Sequence, residues 1–362
     1  MVRALLSVTL LAFSACHLEP PKKSTQNSVG PEKFEQTINE INQLSNGLIV
    51  DISAGGYHFC FLLDDGSVKC MGDNSDHQCD VHLARNAHQK IDPTNLQFSK
   101  ITASGFTTCG IVKGGTFDRV PFCWGLEGPW LDVPDEPVVD ISAGWGFTCF
   151  IKADKSLACV GQELLLFYDF GSVEISATSL PKHGITGTTF NADFSKMGFV
   201  DLKTGERDVC ATCADDGLVY CMGSNFKGGG NVLPHIVLDY FPNQLHTHLI
   251  LNDGSLSISG EPMGWNPIPG IKNPNSLKFK KILGAGSMAY FLTAVGNFYD
   301  DGSPIPENTL ISFIGFSQEG VLKVADYKTS RKKGWKEILI ILKDDHTVKL
   351  IDLATMKVVG GE

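Results

Sequence analysis

The chain has 362 residues, 43% of them hydrophobic, with 38 Gly, 17 Pro and 11 Cys and a formal net charge of −10 at pH 7. That is enough chain for one large domain of short strands and tight turns, and an acidic chain without a basic stripe argues against nucleic acid as a partner. The sequence carries no Gly-x-Ser-x-Gly elbow, phosphate loop or dinucleotide fingerprint, so no catalytic residue and no cofactor is expected.

Residues 1–15 read as a secretion signal, in which Arg3 is followed by an apolar run over residues 4–15 that is too short to span a bilayer. Phe13-Ser14-Ala15-Cys16 resembles a bacterial lipobox, with Phe where Leu is commoner. The resemblance implies cleavage before Cys16 and lipidation of its sulfur; an ordinary signal peptide with an incidental Cys is the alternative. A multiply acylated N-terminus buries many methylenes at about 0.8 kcal/mol each, enough for a stable anchor. His17, rather than Asp, follows Cys16, which resembles outer-membrane sorting. The expected address is therefore the bacterial cell envelope, as an outer-membrane lipoprotein held by its N-terminal lipid.

Residues 16–30, polar and rich in Pro, Lys and Ser, read as a flexible tether. Residues 31–47 read as an amphipathic helix: Phe34, Ile38, Ile41 and Leu44 form one apolar stripe, Pro31 starts it and Asn46-Gly47 ends it. Its polar face is not basic, which disfavours a membrane surface. It is expected to cover an edge of the following domain or to plug one of its faces.

From residue 48 to the end the chain repeats itself. Residues 50–72, VDISAGGYHFCFLLDDGSVKCMG, hold a continuous apolar run over 59–63, a turn at Asp64-Asp65-Gly66 and an alternating strand over 67–71. The small Ala54-Gly55-Gly56 step leaves room for another backbone to come close. Residues 139–161 repeat the pattern without a gap, residues 100–125 with a longer loop and residues 200–223 with one insertion, while fainter copies cover 239–260, 281–302 and 337–353. Turn positions fall at Gly66, Gly115, Lys155, Gly217, Gly254, Gly296 and His346, 37 to 62 residues apart. Seven hairpins at this spacing fit one small sheet per repeat, arranged around an axis.

The pattern ISAG…C…DDGSVKCMGDN resembles the repeat of the regulator of chromosome condensation family. The resemblance implies an all-β fold, a seven-bladed β-propeller over residues 48–362. Its bacterial versions carry paired cysteines in place of apolar residues. Only Trp124-Gly125 keeps the family's Trp-Gly, with Met71-Gly72 and Met222-Gly223 in its place elsewhere, and the family's Gly-Gln-Leu-Gly becomes His77-Gln78-Cys79-Asp80.

With the first loop centred on Asp65, Cys60 faces Cys70 across the hairpin, within disulfide reach. The repeats give the same pairing to Cys109–Cys123, Cys149–Cys159 and Cys210–Cys221, although Cys213 competes with Cys210 for Cys221. Cys79 and Cys213 are left over. So many paired cysteines belong to an oxidising compartment. His77, Cys79, Asp80, His82 and His88 crowd one loop with ligand types suited to zinc or copper, but their spacing matches no strong motif and a solvated loop is expected, with no metal. His246 and His248 share a strand face without a third ligand. The Asp-Asp pairs fall mostly at turns, where local hydrogen bonding explains them.

Of the long inter-repeat segments, 304–327 holds its own hairpin, 311–314 with 321–324, assigned here to the outer half of the sixth sheet. Residues 164–168, Leu-Leu-Leu-Phe-Tyr, read as a buried strand or as an apolar patch for a partner. The expected function is a monomeric, non-enzymatic binding scaffold whose loops dock a protein or cell-envelope ligand. The propeller-type β-lactamase inhibitory protein of the same superfamily suggests an inhibitor or accessory protein as a subclass. Trp130, Trp145 and Trp265 are candidate partner anchors, with Trp145 also placed to pack near the axis. An envelope polysaccharide- or peptide-acting hydrolase or lyase is the alternative, and guanine-nucleotide exchange a minor one.

Overall fold

The computed structural model describes residues 48–87, 96–161, 175–176, 197–205, 208–223, 231–232, 237–242, 246–260, 277–285, 288–294, 297–298, 304–305, 307–312, 317–318, 320–328, 337–353, 355 and 357–360. The signal, Cys16, the tether, the segment 31–47, the run 164–168, His88 and Trp265 lie outside the described residues. The rest is an all-β fold, a seven-bladed β-propeller of small antiparallel sheets. Among the described residues there are only three short 3-10 turns, at Val81–Leu83, Gly115–Phe117 and Pro129–Leu131, and no helix able to cross a membrane.

The first strands of blades 1 to 7 are Ile49–Ala54, Phe98–Ser104, Val138–Gly144, Phe199–Thr204, Val237–Pro242, Phe279–Ala285 and Val321–Lys328. Each touches the first strand of the next blade, and the last returns to the first, so these strands form the inner ring. The second strands carry the apolar runs. His58–Leu63 and Thr107–Val112 are buried throughout, as strands covered on both faces must be. Lys357–Gly360 is the outermost strand of blade 7. Among the described residues no strand from the other terminus joins blade 7; the ring closes by packing of Ile49, Ile52, Phe59 and Phe61 on Ile338, Ile340 and Leu350. Part of the segment after blade 1 does cross over: Arg85 pairs with Cys123 at the outer edge of blade 2 through two backbone hydrogen bonds of 2.8 Å.

One backbone feature recurs in all seven blades. The residue that closes the turn between second and third strands is Gly66, Arg119, Lys155, Gly217, Gly254, Asn308 or His346, with φ between 61° and 85°. The N–H of each donates to the carbonyl that ends its second strand. In this left-handed turn the residue's own carbonyl is free to face the next blade, where it accepts the N–H of the opening residue: Phe98 N–H to Gly66 at 2.7 Å, Val138 to Arg119 at 2.8 Å, Phe199 to Lys155 at 2.8 Å, Phe279 to Gly254 at 2.9 Å and Val321 to Asn308 at 3.3 Å. At the junction of blades 7 and 1 the His346 ring Nδ1 lies 2.9 Å from the Ile49 carbonyl.

These positions correct two assignments made from spacing. In blade 2 the turn residue is Arg119, because Gly115 sits in a 3-10 insertion. In blade 6 it is Asn308: residues 297–298 and 304–305 form a separate small hairpin, and the third strand is Leu310–Ser312. Gly296 lies outside the described residues. The segment 311–314/321–324 is likewise not one outer hairpin, since Leu310–Ser312 belongs to blade 6 and Val321–Lys328 is the inner strand of blade 7.

Each first strand also carries a bulge at its second residue, as at Val50, where Ile49 pairs with Leu63 and Asp51 with Leu62. The same shift occurs in the other six blades. The third residue is always charged: Asp51, Lys100, Asp140, Asp201, Asp239, Lys281 and Lys323. Lys100–Asp140 joins blades 2 and 3, and Lys323–Asp51 joins blades 7 and 1; Lys203–Asp239 does the same for blades 4 and 5. Burial draws the Lys323 ammonium down, opposed by Asp51 and assisted by Lys100 and Lys281, yet the side chain keeps 37% of its surface.

Four disulfides, Cys60–Cys70, Cys109–Cys123, Cys149–Cys159 and Cys210–Cys221, join second and third strands in blades 1 to 4. The competition for Cys221 is decided by register: Cys210 lies directly opposite Cys221, whereas Cys213 faces Phe199 and is buried as a free thiol. Each bridge closes a loop short enough to contribute about 2–3 kcal/mol in the chain-entropy model.

The turn geometry makes a graded prediction. Ala at Gly217, where a Cβ meets nothing within 4 Å, should cost only the left-handed penalty of about 1 kcal/mol. Ala at Gly66 places its Cβ 2.6 Å from the Gln97 Cβ and 3.1 Å from the Phe98 N, against the bond that docks blade 2, and should cost about 2–4 kcal/mol. Urea unfolding of the two variants checks the order; equal losses would contradict the docking role.

Candidate interaction face

The turns between first and second strands form the face opposite the Gly66-type turns. In blades 1, 2 and 3 the tips are Gly56-Tyr57, Gly105-Phe106 and Trp145-Gly146, one glycine and one aromatic each. The glycines bring the blades together: Gly56 N–H donates to the Gly105 carbonyl at 2.7 Å, and a Cβ on Gly56 would lie 3.0 Å from that oxygen. The close backbone approach expected at the Ala-Gly-Gly step is this contact. The aromatic rings then fall into a row. Tyr57 and Phe106 have centroids 5.7 Å apart, and Phe106 and Trp145 meet edge to face at 5.8 Å. Tyr57 and Phe106 are half-buried, and Trp145 is 47% exposed.

Trp145 is thus half exposed, and its ring leans on Gly105 and Phe106. The backbone of Trp130 lies in the 3-10 turn Pro129–Leu131 that follows the third strand of blade 2, and its side chain lies outside the described residues. Tyr57 and Phe106 were not singled out by sequence reasoning. Their signal was available: an aromatic next to glycine at the same turn in three successive repeats, replaced by Glu206 and Arg207 in the fourth.

A buried polar group supports the row from below. The Thr108 hydroxyl donates to the Gln78 carbonyl at 2.9 Å, leaving its oxygen to accept from the His58 Nε2–H at 2.7 Å. The other ring nitrogen lies over Gly55, where a Cβ would come within 2.7 Å of it. His58 is fully buried with no anion beside it, and burial pushes its pKa down from 6.5 to about 3. It is a neutral hydrogen-bond donor that ties blade 1, blade 2 and the loop 73–80 together.

That loop is closed on itself. Asn74 and His77 hydrogen-bond Asp80 at 2.9 and 2.8 Å, and the Cys79 N–H donates to Asn74. His77 adopts φ 63°, the conformation that the family's glycine would take at that place. Burial, with Asp80 and Asp73 nearby, pushes the Cys79 thiol up to about 12, which makes it a poor nucleophile and a poor metal ligand. Among the described residues no group of His, Cys, Asp and Glu could hold a metal ion. His248 is buried against the Phe291 ring, and the side chain of His246 lies outside the described residues.

The turn carboxylates are engaged in local structure. Asp65, Asp154, Asp253 and Asp345 each accept the N–H two residues on, at 2.8–2.9 Å. Hydroxyl and backbone hydrogen bonds from that residue hold Asp65, Asp154 and Asp345 below the usual carboxylate range. They lie one per blade around the opposite face and do not converge.

Residues 49–78 match the model of the regulator of chromosome condensation (RCC1) repeat. Among solved structures, human WBSCR16 is similar at 14% identity, over 77% of this chain and 84% of that one, with a TM-score of 0.51. The ectodomain of the Physcomitrella patens receptor kinase CR4 matches at 14% identity over 71% of this chain, with a TM-score of 0.45; the match spans 59% of that ectodomain. Prp20p of Saccharomyces cerevisiae matches at 11% identity over 85% of this chain and 72% of that one, with a TM-score of 0.43.

The buried imidazole predicts an acid limb in stability. Between pH 6.5 and about 3 the unfolded chain takes up a proton at residue 58 that the folded chain refuses, so stability falls as pH falls through this window. Urea unfolding should show His58→Gln losing about 2 kcal/mol less than the parent between pH 6.5 and 4.5. Parallel pH profiles would show that residue 58 is not a buried neutral histidine.

Proposed function

We propose that this chain, a repeat protein of the regulator of chromosome condensation family, is a lipid-anchored binding scaffold of the bacterial cell envelope that docks a protein through the Tyr57–Phe106–Trp145 row. The observation that carries this reading is the row itself. Three aromatic side chains from three blades meet at one surface, and the outermost ring is half exposed on a frame fixed by Gly56–Gly105 and His58–Thr108. Large, rigid aromatic side chains bury much area at little entropic cost, which is why Trp and Tyr dominate binding hot spots. The blades that carry them are among the four braced by disulfides, so the surface is preorganised.

The anchor rests on residues 1–16, whose charge, apolar run and terminal Cys16 suit a lipoprotein signal. Its test is fractionation: Cys16→Ser should move the protein from the membrane to the soluble fraction and abolish labelling by fatty acid. An unchanged membrane fraction would overturn the anchor without touching the docking face.

The docking reading is tested with a photo-crosslinking aromatic residue placed at position 106 or 145 in cells, with position 253 on the opposite face as control. One dominant protein adduct from 106 and 145, absent from 253, is expected. Trp145→Ala should then weaken that complex at least about 30-fold, the scale of a hot-spot tryptophan, with little change in melting temperature because its ring is already half in solvent. Adducts equal at all three positions, or none at 106 and 145, would overturn it.

A further inference from the structure

Among the described residues, the outer edge of blade 1 has no strand beside it. Blades 3, 4, 6 and 7 carry a fourth strand at Ile175–Ser176, Asn231–Val232, Ser317–Gln318 and Lys357–Gly360. In blade 2 Arg85 takes that place, exchanging both backbone hydrogen bonds with Cys123. Blade 5 is followed by residues outside the described ones. The sheet of blade 1 ends at its third strand, Val68–Gly72. The chain that follows is engaged elsewhere: the loop 73–80 is closed on itself, Val81–Leu83 is a 3-10 turn, and Arg85 has crossed to blade 2. The vacancy shows in the equivalent cysteines. Cys123, Cys159 and Cys221 are at most 2% exposed beneath their outer partners Arg85, Ile175 and Asn231, whereas Cys70 is only half-buried.

The pairing register fixes which groups this edge offers. Cys60 and Cys70 lie 4.0 Å apart at Cα, the close spacing of a pair that exchanges no backbone hydrogen bond. Lys69 and Met71 therefore bond inward, to Phe61 and Phe59, and the N–H and C=O of Val68, Cys70 and Gly72 point away from the sheet. None of these has a hydrogen-bond partner among the described residues. Such an edge is a template for one more strand. Its side chains set the chemistry of that strand. Val68 and Cys70 lie on the apolar core between blades 1 and 2, which Val81 also joins, while Lys69 is exposed on the other face. The strand is short and carries a lysine, two features that guard against pairing with a second copy. It also runs into the aromatic row, since the next residue, Asp73, donates its N–H to the Tyr57 carbonyl at 2.8 Å. We propose that the docked protein adds an extended segment to Val68–Gly72 as the fourth strand of blade 1, with apolar side chains opposite Val68 and Cys70 and a carboxylate opposite Lys69. The proposal rests on the reading of this chain as a protein-docking scaffold and supplies the mode of docking.

Two capture positions separate this proposal from the aromatic row. The photo-crosslinking residue is placed at position 69 as well as at 145, and the same protein should be captured from both. An adduct from 145 without one from 69 would overturn the added strand and leave the row; an adduct from 69 alone would remove the row and keep the edge; none from either would overturn both. Amide exchange resolved by residue, on the full mature chain carrying Cys16→Ser, then reads the pairing itself. In the free chain the Cys70 N–H should exchange at least about 100-fold faster than those of Met71 and Cys123. In the complex with the captured protein it should slow to their level, together with Val68 and Gly72. Slow exchange at Cys70 in the free chain at every dilution would mean that the chain's own residues fill the edge, and slow exchange lost on dilution would mean a second copy. Either result overturns the proposal, as does a complex in which residues 68, 70 and 72 stay fast. Lys69→Glu tests the carboxylate: it should weaken the complex about three- to fivefold, with Lys69→Arg close to the parent and both melting temperatures unchanged. Equal affinities of the two variants would overturn the charge match.

Discussion

The bond from a left-handed turn residue to the first strand of the next blade is what turns seven hairpins into a ring. A hairpin alone specifies only local pairing. A residue with positive φ at the end of that hairpin closes the turn through its N–H and leaves its carbonyl pointing outward; at five junctions that carbonyl receives the opening N–H of the next blade, and at the junction of blades 7 and 1 the His346 ring meets the Ile49 carbonyl instead. At Arg119, Lys155, Asn308 and His346 a residue with a side chain takes this conformation, against a cost of about 1–2 kcal/mol for most L-residues. That it recurs even where glycine is absent shows that the geometry is imposed by the ring, not by the turn sequence alone. The ion pairs Lys100–Asp140, Lys203–Asp239 and Lys323–Asp51 add a second tie near the axis, and the disulfides hold the hairpins of blades 1 to 4 to one shape.

This rigidity is uneven, and the unevenness has a functional sense. The aromatic row belongs to blades 1 to 3, where three of the four disulfides, the Gly56–Gly105 contact and the His58–Thr108–Gln78 group fall. A surface made of turn tips holds a defined shape only if its blades cannot shift against one another, and the ties are concentrated under the row. The opposite face has a different character, with its turn carboxylates engaged in local structure.

The hairpins and the four cysteine pairs were legible in the sequence because they are local. An apolar run, a turn and an alternating strand lie within about twenty residues, and opposed positions follow by counting. The turn positions of blades 2 and 6 were not, because an insertion leaves several candidates and only the pairing across the turn shows which residue closes it. Glycine was a misleading guide there, since Gly115 belongs to an insertion while Arg119 and Asn308 take the left-handed place. The charged third residues of the inner strands were visible as letters, yet their meaning depended on the bulge, which shifts every later side chain by one and cannot be counted from the turn. The site was half legible. Trp145 could be named for its chemistry, but Tyr57 and Phe106 become its neighbours only when consecutive blades pack.

The most direct measurement is amide hydrogen exchange of the mature chain, free and in complex with the partner captured through position 145. If the row is the docking surface, protection should rise in the peptides that hold residues 55–58, 105–108 and 145–148, while the opposite turns at 64–67, 153–156 and 252–255 exchange as before. Protection confined to those opposite turns, with no change around Tyr57, Phe106 and Trp145, would contradict the assignment of the interaction face.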